Sequence, residues 1–131
     1  MRARPSERVI GWLDKHPATS LFISAITRAE IELGVHLLPD GSKKRQVQHA
    51  ASQMFDEFEG RCLPFEGSAA IHYGQLVANR QKVGRPISVE DAQISAIALT
   101  HGMVLATRNT KDFVFVEGLE LINPWEQEKA I

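Results

Sequence analysis

The sequence predicts an α/β domain: a three-layer α/β/α arrangement around a mainly parallel sheet. Short apolar runs of strand type alternate along the chain with longer stretches of helical periodicity, the signature of β–α units. The 131 residues are enough for one hydrophobic core and contain no linker, repeat or low-complexity segment. Apolar residues make up 44% and charged residues 24%, a balance that excludes intrinsic disorder.

The elements follow in order. Ser6 caps a first predicted helix carrying Val9, Ile10, Trp12 and Leu13, which stops before Pro17. Leu21-Phe22-Ile23 reads as a buried strand. A helix is predicted from Thr27 to Leu38, halted by the turn sequence Pro39-Asp40-Gly41. The next runs from Ser42 to Glu59, with Val47, Ala50, Ala51, Met54, Phe55 and Phe58 as its apolar stripe and Gly60 closing it. Cys62 to Phe65 is a second short strand, and its proline favours a strand end. Ser68 to Lys82 is helical, and Gly84-Arg85-Pro86 makes a loop. Ser88 opens a helix so apolar that it must pack deeply, ending at Gly102. Met103 to Ala106 and Leu119 to Ile122 are the third and fourth strands.

Composition also limits function. No apolar run reaches the roughly 20 residues that span a bilayer. The basic N-terminus lacks the apolar core of a secretory signal, so a cytoplasmic location is the default expectation. The single cysteine, Cys62, rules out an internal disulfide and a cysteine zinc site. With 15 basic and 16 acidic residues, nucleic-acid binding would depend on local clusters. Three exist, at Arg2/Arg4/Arg8, Lys43/Lys44/Arg45 and Arg80/Lys82/Arg85, and each reads first as solvated surface. The five histidines form no metal motif, and no phosphate-binding glycine loop or nucleophile elbow is present. Trp12 and Trp125 read as packing residues.

Three acids stand out. Glu30 and Asp112 follow predicted strands closely, and Asp91 lies in a first helical turn. In open α/β sheets ligands collect beyond the carboxyl ends of strands. Hard oxygens without Cys or His suggest Mg²⁺ or Mn²⁺. The plain alternative is capping, because Thr27-Arg28-Ala29-Glu30 and Ser88-Val89-Glu90-Asp91 both fit the capping-box grammar. Spacing alone does not separate the two roles, and capping is the commoner one.

Ser24-Ala25-Ile26-Thr27-Arg28-Ala29-Glu30-Ile31-Glu32-Leu33-Gly34 resembles the S-x-x-T-x-x-E-[IL]-x-x-G signature of PIN-domain toxins. Asp91-Ala92-Gln93-Ile94-Ser95-Ala96-Ile97-Ala98 resembles their D-x-x-I-A-A-x-A helix, and Thr107-Arg108-Asn109-Thr110-Lys111-Asp112-Phe113 their T-R-[DN]-x-x-D-F segment. Leu121-Ile122-Asn123-Pro124-Trp125 fits the family's terminal segment. Order and spacing agree over essentially all of residues 1–131, and the VapC/FitB branch is the nearest resemblance. It implies a single PIN domain that hydrolyses RNA with Mg²⁺ or Mn²⁺, forms a homodimer and is silenced by a cognate antitoxin. Carried over by position, Glu30, Asp91 and Asp112 are metal ligands. Asn109 stands where the family often has aspartate, and Thr107 orients the site.

One departure accompanies the resemblance. Family members usually begin with a central strand ending in an aspartate that is the first metal ligand, and only Met1-Arg2-Ala3-Arg4-Pro5 precedes the first helix here. A strand of five or six residues with its turn does not fit there. The expectation is a PIN domain written without that strand, through an internal start or a truncation. Two further readings stand beside the enzyme: a degenerate PIN domain that binds antitoxin or its own copy without cutting, and an unrelated receiver-like domain whose acids are caps.

Overall fold

The structure is a computed structural model that describes residues 20–125. The predicted first helix and Trp12 lie outside the described residues.

Strand β1 (Ile23–Ser24) pairs in parallel with β2 (Cys62–Leu63), Ile23 opposite Cys62. Arg61 reinforces this pairing, since its carbonyl accepts from Ile23 N–H at 3.0 Å and its Nε donates to the Leu21 carbonyl at 2.9 Å. Helix α1 (Ala25–His36) leaves β1 without a loop. Its N-cap is Ser24, whose hydroxyl accepts the Thr27 N–H at 3.0 Å. The helix therefore starts two residues before the predicted Thr27, and Thr27-x-x-Glu30 is not its capping box. Helix α2 (Ser42–Glu57) packs on α1 through Val35, Ala51 and Phe55, with the Arg28 guanidinium 4.5 Å from the centre of the Phe55 ring.

Helices α3 (Gly67–Lys82) and α4 (Val89–His101) form the main helix pair. Ala69 and Leu76 of α3 meet Ala92, Ala96 and Ile97 of α4, and Val116 closes the cluster. Alanine at 92 and 96 lets the helices approach closely, and both residues are fully buried. Gly102 ends α4 in the left-handed conformation, φ 62°, which glycine adopts without steric cost. Strand β3 (Leu105–Ala106) follows and pairs in parallel with β4 (Leu121–Ile122). The 3₁₀ turn Thr110–Asp112 lies between them.

The expected α/β class and parallel pairing hold, with shorter strands. Only residues bonded to a neighbouring strand extend the ladder, and the described strands form two separate pairs. A cavity of about 570 Å³ lies between the pairs, lined by Leu21–Ser24 on one side, Met103–Ala106 on the other and Ile94, Ile97 and Ala98 of α4. Ile23 N–H bonds to Arg61 and Leu105 N–H to Glu120, so both face their own partner strands. By strand alternation Phe22, Val104 and Ala106 turn their backbone groups the other way, and among the described residues no backbone bond joins the pairs.

Candidate functional site

Asp91 is the third residue of α4. Its N–H donates to the Ser88 hydroxyl at 3.2 Å, so the predicted N-cap is observed. The buried Ser95 hydroxyl donates to the Asp91 carbonyl at 2.8 Å. Glu30 is in the second turn of α1, past the reach of the N-cap, so capping does not account for it. Asp112 closes the 3₁₀ turn, where its N–H donates to the Asn109 carbonyl at 3.1 Å.

Electrostatics links these acids. Partial burial raises the Glu30 carboxyl above its ordinary value, and the charges of Asp91 and Glu90 raise it further. Burial likewise raises Asp91; a hydrogen bond with the Ser88 side chain opposes this, Asp112 and Glu90 push upward, and Arg80 pulls downward. Asp91 is thus the middle acid, coupled to Glu30 on α1 and to Asp112 on the 3₁₀ turn. Glu90, the next residue on α4, adds a fourth charge that sequence reasoning passed over because it occupies an ordinary first-turn position.

Thr107 and Asn109 shape the turn. Thr107 N–H continues the β3–β4 ladder to the Ile122 carbonyl at 3.0 Å, and its hydroxyl accepts the Asn109 N–H at 3.1 Å. Thr107 thus braces the start of the segment that leads to Asp112. Asn109 is exposed.

Among the described residues, no three His, Cys, Asp or Glu side chains converge closely enough to form a ready-made metal cage. The donor chemistry nonetheless suits one ion class. Mg²⁺ keeps several waters and is commonly held by one or two carboxylates, which is what Asp91 offers with Glu30 or with Asp112.

Arg80 corrects the sequence reading. Grouped by sequence with Lys82 and Arg85 as solvated surface, it is 6% exposed, while both neighbours are exposed. A signal was present: Ala69, Tyr73, Leu76 and Arg80 share the stripe of α3 that packs inward. Its guanidinium donates to the carbonyls of Arg85, Asp112 and Pro86. Arg85 instead lies over the Phe115 ring, 4.0 Å from its centre.

Comparison with known proteins decides the family. The PIN domain model matches residues 2–117. This chain belongs to the PIN-domain family. Among PIN-domain relatives, VapC ribonuclease Y4jK of Sinorhizobium fredii is 36% identical over 95% of this chain and 89% of its own length. Toxin FitB of Neisseria gonorrhoeae is 38% identical over 95% and 90%. The crystal structure of FitAcB from Neisseria gonorrhoeae superposes with a TM-score of 0.88 at 38% identity, covering 96% of this chain and 91% of that one. A structure of FitAB bound to a DNA fragment gives 0.89 at 39% identity, covering 98% and 90%. The chain is thus a PIN-domain homologue of VapC and FitB toxins. Among the described residues no helix is long and apolar enough to cross a membrane.

Proposed function

We propose that this chain is a divalent-metal-dependent endoribonuclease toxin that hydrolyses RNA phosphodiester bonds in the cytoplasm and is neutralised by a cognate antitoxin. The observation that carries the reading is Asp91, whose charge acts on Glu30 and on which the charge of Asp112 acts, so that burial first and like charge second raise the Glu30 and Asp91 carboxyls. A bound cation would relieve that repulsion. Bound Mg²⁺ or Mn²⁺ supplies an activated water and a positive field for the phosphodiester. Asp91, Glu30 and Asp112 hold the ion, Thr107 keeps the 107–112 turn in place, and Asn109 offers a neutral amide to ligand or substrate. Relatives named as a ribonuclease and a toxin, and the FitAB complexes among the structural neighbours, support the RNA substrate and a protein antitoxin. A homodimer is part of the same reading.

The test is cleavage of a structured RNA by the purified chain with Mg²⁺, with EDTA, and by Asp91→Asn and Glu30→Gln. Activity confined to the metal-loaded wild type, with both variants folded by circular dichroism, is the expected result. Cleavage that survives chelation, or survives both substitutions, refutes it.

A second reading has its own observation, the lack of a three-ligand cage among the described residues. In it the domain docks antitoxin or a second copy without cutting. Antitoxin binding by a chain that neither binds Mn²⁺ nor cleaves RNA would establish it.

A further inference from the structure

Arg80 is a buried guanidinium on α3 with no ion pair to any carboxylate among the described residues. Its acceptors are three backbone carbonyls: Nε reaches Arg85, Nη1 reaches Asp112 at 3.2 Å, and Nη2 reaches Pro86 at 3.4 Å. The Arg85 N–H returns a bond to the Arg80 carbonyl at 2.9 Å. Burying a cation without a carboxylate is costly, and an apolar side chain would fill the same space more cheaply. What Met or Leu could not do is gather three carbonyls from two separate segments onto one rigid, planar fork.

Those two segments carry two of the three acids. Arg85 and Pro86 lead into Ser88, the N-cap of α4, and thence to Asp91. Asp112 is itself one of the tied residues. We propose that Arg80 is a positioning residue of the acidic site, whose guanidinium clamps the Asp112 backbone to the 85–86 loop and so sets the separation of the Asp91 and Asp112 carboxylates. This rests on the metal-site reading above. Its charge also steadies the ionised form of Asp91, in keeping with that placement. The side chain is too enclosed to touch RNA, so it acts through the acids it places.

The experiment uses the full chain. In wild type, ¹⁵N NMR follows the Arg80 Nε–H and the backbone amides of Glu30, Asp91 and Asp112 as Mg²⁺ is added. Arg80→Lys and Arg80→Met are then compared with wild type in Mn²⁺ affinity by calorimetry, in kcat and KM on RNA, and in thermal unfolding. The expected results are a shifted Arg80 Nε–H at saturation, and for folded variants a loss of Mn²⁺ affinity of about tenfold or more. The same variants should lose kcat with KM little changed. An Arg80 resonance that stays still while Asp91 and Asp112 respond overturns the inference. So does a folded Arg80→Lys or Arg80→Met with wild-type affinity and kcat. If both variants fail to fold, the wild-type titration alone decides. If no resonance responds to Mg²⁺ at all, the metal reading itself fails, which is a different result.

Discussion

At the scale of single residues, the two raised carboxyls make stability depend on pH in a defined direction. A folded-state value above the unfolded one means that the native protein binds more protons, so stability falls as pH rises through the interval between them. Glu30 and Asp91 therefore oppose folding above that interval and cease to do so below about pH 4, where their carboxyls are protonated in both states. Asp91→Asn is expected to close the gap: its melting temperature at pH 7 matches or exceeds wild type, and its pH slope between 4 and 7 is shallower. Parallel melts across that range check this. The same residue should be indispensable to cleavage, with a loss of about a hundredfold or more if it carries the ion. Metal then acts in the opposite sense. Mg²⁺ at ten times its dissociation constant should stabilise wild type by about 1.4 kcal/mol, and Asp91→Asn by far less, as read by a thermal shift.

At the scale of elements, the helix starts decide which acids are free. Ser24 and Ser88 are the side chains that cap α1 and α4, so Ser24→Ala and Ser88→Ala should each cost about 1 kcal/mol in urea unfolding. Thr27→Ala should cost less, since it keeps the backbone N–H that Ser24 accepts and loses only the side-chain oxygen to which the Ser24 hydroxyl donates at 2.9 Å. The sequence shows Ser88 as a cap plainly, because an acid three residues on and a loop before it agree. It shows Ser24 poorly. The strand signal of Leu21-Phe22-Ile23 runs straight into the helix, and Thr27-x-x-Glu30 imitates a start two residues late. That register bears on function, since spacing alone left capping open as the plain alternative for Glu30 and the observed N-cap withdraws it. Arg80 escaped for a related reason: proximity in sequence to Lys82 and Arg85 masked its place on the inward stripe of α3. Glu30, Asp91 and the 107–112 turn were legible because each motif keeps its own local spacing. Their mutual placement depends on how α1, α4 and β3 pack, which no local spacing encodes.

At the scale of the whole molecule, stability rests on the α3–α4 layer. Ile97 is 2% exposed and belongs to the core cluster that also holds Ala69 and Leu76 of α3 and Val116. Ile97→Ala should cost about 2–5 kcal/mol, measurable as a lowered urea midpoint, a large share of what a domain of this size holds. The helices also carry what the strands do not, because among the described residues the strand hydrogen bonds are divided between two pairs. Amide exchange should reveal the division: Ile23, Leu105 and Thr107, whose N–H groups are taken up by partner strands, exchange more slowly than Phe22 and Val104.

That division affects how the protein behaves in a tube. Among the described residues no backbone bond joins the two pairs, and their facing edges, with exposed Phe22 and Val104 beside them, offer a template that a neighbouring molecule's loose chain can satisfy. Colloidal behaviour should accordingly worsen with concentration, with turbidity climbing well below the solubility expected from the charged surface.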